Sequence, residues 1–146
     1  MLQREKIIRE LWRRFTLVDG IQYTARDPRD PPNVKQLPCV QFFELDDTVI
    51  KTSKRGASAL PSYWRKLTVV AEMFILPQQE GSAGNELMDF VGKVKSQIYI
   101  DGDSLGRLCE IKETEASRVL RPPVAAYVIG MGIVFEITYV EDTAKT

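Results

Sequence analysis

The sequence of 146 residues contains no histidine and only two cysteines. Without imidazole, the chain excludes every catalytic triad or dyad with a histidine base and every metal site with a histidine ligand. Two thiolates are too few for a structural zinc site or an iron–sulfur cluster. The composition therefore predicts a protein without a metal or other cofactor, and it argues against an enzyme.

A net charge and a long apolar run are also lacking. Lys and Arg number 20, as do Asp and Glu, so the formal net charge is zero, which argues against binding of polyanions by the whole surface.

The N-terminus is charged from its fourth residue, and no apolar stretch has the length of a membrane span. We therefore expect no membrane partner and a reducing, cytoplasmic setting. There Cys39 and Cys109, each inside an apolar run, are expected to be small buried hydrophobes rather than a disulfide or reactive thiols.

The hydrophobic pattern predicts one domain over residues 1–146, of the α+β class. Apolar residues at helical spacing predict amphipathic helices over 3–17 and 86–99, with Trp12 as a core anchor. Alternating apolar residues predict strands at 21–25, 39–45, 49–52, 63–76, 108–113 and 124–140. The two helices are expected to pack on one face of a mainly antiparallel sheet.

The strands around residue 50 predict a long projecting hairpin. Asp46-Asp47 is expected to break the first strand, 53–62 to form the tip, and 63–76 to be the long returning arm. Between Thr48 and Ala71 there is no acidic residue, but there are five basic ones: Lys51, Lys54, Arg55, Arg65 and Lys66. Such a cationic hairpin could contact nucleic acid phosphates or dock on an acidic surface of a neighbouring subunit. It could also be an exposed hairpin kept soluble by its lysines, and the pattern leaves the three open.

Two further features bear on association. The segment 27–38 contains four prolines and is predicted to be an extended surface loop, either a plain connector or a binding segment. Residues 1–70 carry 13 basic and 8 acidic side chains, whereas residues 71–146 carry 7 basic and 12 acidic ones. Opposite balances within one neutral chain would suit a contact between two different patches of neighbouring copies.

No constellation of residues predicts catalysis. Gly130-Met131-Gly132 lies inside a predicted strand and is not followed by the lysine of a phosphate-binding loop. Asp101-Gly102-Asp103 is not followed by the ligand spacing of a calcium loop, so we interpret it as a turn. A small enzyme that works through carboxylates or a cysteine remains an alternative that no motif favours.

The order of the elements and several local sequence segments resemble those of a known protein family. The resemblance begins with REKIIRELWRRF followed by DGIQYTAR, then LPCVQFFEL after the proline-rich loop, and then the basic hairpin leading into WRKLTVVAEMFIL. It continues with NELMDFVGKVKSQI, the DGDSLG turn and a last strand that ends in ITYV. In this pattern the chain resembles the tail terminator (tail completion) proteins of long-tailed bacteriophages, of the lambda minor tail protein U type.

The resemblance implies a structural α+β subunit of a six-membered ring. Such a ring caps the tail tube, ends its polymerisation and offers the head a docking surface, while DNA passes through without sequence-specific binding. The implied partners are copies of the chain, the tail tube protein and a head-proximal neck or connector protein, with a sheath protein as an optional addition. The implied location is the head-proximal end of the tail in the virion, after assembly in the host cytoplasm.

Two alternatives accompany this interpretation. One is a head–tail connector, neck or collar protein of the same virion region, and the other is a nucleic-acid-binding module. We hypothesise that the hairpin 46–62 and the loop 27–38 carry subunit or tube contacts, through Asp46, Asp47, Lys51, Lys54, Arg55, Arg65, Lys66, Arg29 and Lys35.

Overall fold

The computed structural model describes residues 2–53, 61–79, 81–114, 118–120 and 127–142. These residues form two α-helices and six strands, which confirms the predicted α+β class. The elements are α1 (Gln3–Thr16), β1 (Tyr23–Arg26), a 3₁₀ turn (Val34–Gln36), β2 (Cys39–Ser53), β3 (Ser62–Ile75), α2 (Ala83–Ile98), β4 (Glu110–Glu113), β5 (Arg118–Leu120) and β6 (Ile129–Asp142).

The six strands form one sheet in the order β1-β2-β3-β6-β4, and β5 pairs with β6 beyond the end of β4. Only the β1–β2 pair among the described strands is parallel, so the sheet is mainly antiparallel, as predicted. The three central strands β2, β3 and β6 are 14 or 15 residues long, more than twice the usual length of about 6. The sheet is therefore long along its strands and narrow across them.

Both helices pack on one face of this sheet and form the core with it, which confirms the predicted arrangement. The buried apolar residues are Ile7, Ile8, Leu11 and Phe15 on α1, and Leu87, Phe90, Val91, Val94 and Ile98 on α2. The strands meet these side chains with alternate residues, among them Phe42, Leu67, Val69, Ile133, Phe135 and Ile137. Fully burying one such side chain stabilises the fold by about 1.5–3 kcal/mol, so this layer holds the domain together.

Trp12 does not join this core. Its side chain is 38% exposed, and its ring meets the buried ring of Phe42 edge-on at 6.0 Å between centroids. The prediction of a core anchor was wrong because the apolar stripe of α1 is filled by Leu11 and Phe15. Helical spacing places Trp12 beside that stripe rather than on it.

The opposite face of the sheet, called here the open face, has no helix on it among the described residues. At one end of the sheet it carries a small second cluster of Leu37, Cys39, Phe74 and Val128. Gly130 lies opposite Phe74, and a Cβ at that position would clash with the Phe74 ring and come within 2.7 Å of the Met73 carbonyl oxygen. Glycine at 130 is therefore required by close packing.

Several boundaries differ from the sequence predictions. β2 is not broken at Asp46-Asp47 but continues through a bulge between Glu44 and Asp47, with a second irregularity between Val49 and Lys51. A bulge accommodates one extra residue without ending the strand pairing, so the long partner β3 overrides the local turn signal. β5 lies inside the predicted loop 114–123, and α2 begins at Ala83 instead of residue 86.

The arms of the predicted hairpin pair with each other along their whole length, from Cys39 opposite Phe74 to Ser53 opposite Ser62. They are not a two-stranded unit, because β6 accompanies β3 as far as Asp142 opposite Ser62. The tip at 54–60 lies outside the described residues, so the projection of the hairpin stays a prediction.

Candidate functional site

The candidate site is the end of the sheet where these three long strands run together. We call residues 45–53 of β2, 62–66 of β3 and 138–142 of β6 the distal ribbon. It brings together five of the predicted interface residues, which are Asp46, Asp47, Lys51, Arg65 and Lys66. Lys54 and Arg55 lie outside the described residues.

A group of charged side chains joins α1, β1 and β2 at the inner limit of the distal ribbon. We call Arg4, Glu5, Arg26, Glu44 and Asp47 the ionic network. Arg26 contacts both Glu44 and Glu5 at 2.6 Å, and Arg4 contacts both Glu44 and Asp47 at 3.0 Å. These contacts tie the start of α1 to the first bulge of β2, so the network positions the ribbon relative to the helices.

The two carboxylates on β2 are the most buried members of the network. Their side chains are only 6% exposed for Glu44 and 12% for Asp47. Burial alone would raise the pKa of Glu44, but hydrogen bonds from Arg26 and Arg4 outweigh it and hold that pKa below its ordinary value. Tyr139 donates a hydrogen bond of 2.7 Å to Asp47, which extends the network to β6.

Two of the predicted docking cations are paired inside the chain. Arg65 lies 3.1 Å from the Glu141 carboxylate and 3.7 Å from that of Asp47, and Lys66 lies 3.3 Å from Glu136. A cation already matched with a carboxylate attracts an external phosphate or acidic partner less. Both cations therefore have carboxylate partners within the sheet. Sequence alone does not reveal this, because Glu141 and Glu136 are 70 or more residues away in the chain.

Asp46 and Lys51 differ from these residues. Both side chains are exposed, and neither has an ion-pair partner in the part of the chain that the structure describes. Around them Leu45, Val49 and Ile50 are 47–52% exposed. This outer side of β2 thus combines opposite charges with apolar side chains that have little to pack on.

The loop 27–38 lies at the edge of the sheet occupied by β1. Its 3₁₀ turn is fixed by Asn33 and Gln36, whose side chains each accept a hydrogen bond from the other end of the turn. Arg29 and Lys35 are exposed there, and no hydrogen bond or ion pair between described residues links them to the distal ribbon. No such polar contact thus connects these two predicted interface residues with the others in the part of the chain that the structure describes.

The two cysteines and the Asp101 turn are the residues that the sequence analysis considered for catalysis or metal binding. Burial raises the pKa of both Cys39 and Cys109 to about 12, so both thiols are protonated at neutral pH. Cys39 is buried as expected, whereas Cys109 is only partly buried. Asp101 binds Arg14 through both carboxylate oxygens, at 2.7 and 3.0 Å, within a turn. The described residues contain no cluster of three or more acidic or cysteine ligands around a common point. Neither described helix is long and apolar enough to cross a membrane.

A groove that the sequence analysis missed runs between the end of α1 and the outer side of α2. It has a volume of about 480 Å³ and is lined by Leu17, Asp19, Met88 and Lys93, among others. Leu17 and Met88 are both more than half exposed. Met88 could have been noticed in the sequence, because it follows Leu87 directly and so lies off the apolar stripe of the helix.

Comparison of the sequence with models of known protein families and with curated proteins gives no match.

Proposed function

We propose that the chain is a structural virion protein of a long-tailed phage. In this proposal it is the subunit of a six-membered ring that caps the tail tube, ends its polymerisation and joins the tail to the head or neck. The support is the resemblance of the sequence to tail terminators together with an α+β fold whose two helices lie on one face of the sheet. The proposal includes no catalytic step and no cofactor.

The observation that supports an assembly role is the set of exposed apolar and charged side chains on the distal ribbon. It combines an outer strand with exposed Leu45, Val49 and Ile50 and the exposed charges of Asp46 and Lys51. Long strand edges with exposed apolar side chains pair readily with other chains, and natural proteins usually cover them. Coverage by neighbouring copies or by the tail tube protein would remove this surface from water.

The remaining partners belong to the same proposal. A neck or connector protein would bind the head-proximal side of the ring, and DNA would pass through the hole without sequence-specific contacts. Arg65 and Lys66 are occupied by Glu141 and Glu136, which favours this role over that of a nucleic-acid-binding module.

Electron microscopy of virions that lack the chain tests the proposal. We expect tails of uncontrolled, excessive length without heads, and normal particles when the intact chain is supplied in trans. Tails of normal length with heads attached would contradict termination.

A variant with Lys51, Lys54 and Arg55 replaced by glutamate tests the contribution of the basic hairpin to the ring. We expect it to fail to cap tails. The matched control replaces Lys6, Arg107 and Lys112 by glutamate, which changes the charge equally at exposed positions outside the hairpin. Equal capping by both variants would remove the hairpin from the proposed interface.

A further inference from the structure

The outer edge of β2 has a strand partner along only part of its length. β1 pairs with Cys39–Phe42, and the Asp27 carboxylate then accepts a hydrogen bond from the Glu44 amide. From Leu45 to Ser53 the side of β2 that faces away from β3 has no strand against it among the described residues. This leaves nine residues of strand edge whose outward N–H and C=O groups can pair with another strand.

The opposite edge of the sheet is less accessible. On β4, the outermost strand there, the Ile111 amide donates a 2.8 Å hydrogen bond to the Asp103 carbonyl oxygen. The turn before β4 thus already occupies part of that edge. The outer edge of β2 is accordingly the longer site for strand addition within the described part of the sheet.

The pairing register of β2 with β3 gives the positions of Asp46 and Lys51 along the strand. Thr48 lies opposite Lys66. Asp46, together with Leu45, occupies the bulge opposite Thr68, two residues towards one end, and Lys51 lies opposite Trp64, two residues towards the other. Measured along β3, Asp46 and Lys51 are therefore equally far from Thr48, on either side of it.

We propose that two copies of the chain pair their β2 strands edge to edge, antiparallel, about a two-fold axis at Thr48. An antiparallel pair centred there brings Asp46 of each copy opposite Ile50 of the other and diagonally next to Lys51. Opposite charges in such neighbouring cross-strand positions attract. The exposed Leu45 of one copy comes opposite Lys51 of the other, whose aliphatic stem it can cover. The same patch serves both copies, as a two-fold interface requires.

The two bulges help to fix this register. A flat strand edge can slip by two residues without penalty, whereas the extra residues at 45–46 and at 50 allow one alignment of the two edges. The pairing does not depend on the proposed ring. It is a two-fold contact available to subunits off the tail, and it would have to open if the ring used the same strand.

The interface is short, below the size of about 1,600 Å² that is typical of stable complexes. We therefore expect a dimer that dissociates on dilution. Sedimentation of the full-length chain over a range of concentrations measures this equilibrium. A monomer at every concentration overturns the proposal, and so does a hexamer without a dimer, although that second result would leave the proposed ring intact.

A charge exchange tests the register. Asp46→Lys alone, or Lys51→Asp alone, places like charges diagonally next to each other twice per dimer, so each should raise the dissociation constant by about fivefold. The double variant with both changes restores opposite charges and should return to the affinity of the unaltered chain. Equal weakening by the single and double variants would overturn the pairing.

The control exchanges Glu110 and Lys112, which are exposed on β4. Glu110→Lys and Lys112→Asp should leave dimerisation unchanged. Hydrogen exchange adds a second readout, because amides within 45–53 should become protected with concentration in the unaltered chain and not in the single Asp46 or Lys51 variants. A concentration effect confined to other segments would overturn the proposal even if a dimer forms.

Discussion

Asp46 and Asp47 are neighbours at the first bulge of β2, yet their carboxylates lie in opposite surroundings. Asp47 is 12% exposed and contacts Arg4 and Tyr139, whereas Asp46 is exposed and has no ion-pair partner among the described residues. The bulge turns one carboxylate towards the helices and leaves the other at the outer edge. Identical side chains one residue apart therefore belong to different regions, the ionic network and the outer edge of the distal ribbon.

This difference separates charges that hold the fold from charges that are available for association. Ion pairs at exposed positions contribute about 0–1 kcal/mol, but removal of one member of a buried pair leaves the other without compensation. Changes in the ionic network should therefore act on the stability of the monomer. Changes at the outer edge should act on contacts between copies.

Glu44→Gln should have the largest effect on stability. It removes the charge that Arg4 and Arg26 share at a side chain with 6% exposure, and we expect a loss of about 3 kcal/mol. The free energy of unfolding in urea measures it. Asp46→Asn is the matched control and should leave that free energy unchanged at concentrations where the chain is monomeric. Similar losses from both variants would show that the two regions do not differ in this way.

The second-largest loss of stability should come from lowering the pH, which protonates Glu5 and Glu44 of the ionic network. Hydrogen bonds from Arg26 lower the pKa of Glu5, and those from Arg26 and Arg4 lower the pKa of Glu44 against the effect of burial. In the unfolded chain glutamate titrates near pH 4.3, so the charged network stabilises the fold fully above about pH 5. Stability should then fall as the pH drops through the lower pKa values of the folded chain.

Urea titrations between pH 7 and pH 3 measure this dependence. The unaltered chain should lose stability more steeply below pH 5 than Glu44→Gln, because the variant has no carboxylate at position 44 left to protonate. Parallel curves for the two proteins would assign the acid sensitivity to other groups.

Tyr139→Phe should have the smallest effect of the three. It removes one hydrogen bond, that of 2.7 Å to the Asp47 carboxylate, and leaves the ring in the core, so we expect a loss of about 2 kcal/mol. Thermal unfolding measures it. A Tyr63→Phe variant, on the distal ribbon outside the network, provides the control, and an equal loss there would indicate a general effect of the phenol group.

The amphipathic patterns of the sequence predict most of the fold, because both helices and the long strands bury one regular face. Met131, Ile133 and Phe135 lie on the core side of β6 as their alternation predicts. The local sequence pattern predicts the wrong structure where pairing with a distant strand determines the conformation. Asp46-Asp47 is a turn signal in isolation, but β3 holds the strand together across it, and β5 forms inside a predicted loop because β6 offers it an edge.

The candidate site was predictable only in part. The cluster of basic residues in 51–66 points to this end of the sheet, where the structure brings five of the predicted interface residues together. Sequence alone does not show that Arg65 and Lys66 have carboxylates of β6 beside them, since that depends on the register of strands about 70 residues apart. It also does not show that Lys51 and Asp46 remain unmatched among the described residues.

The parallel pairing of β1 with β2 explains the length of the proline-rich loop 27–38. Tyr23 lies opposite Cys39 and Arg26 opposite Phe42, so after Arg26 the chain must travel back along the whole of β1 before β2 can start in the same direction. Parallel neighbours need a connection of about a dozen residues, and residues 27–38 supply it. The length of this loop is thus a geometric requirement for bringing Arg26 beside Glu44, and it holds whether or not a partner ever binds there.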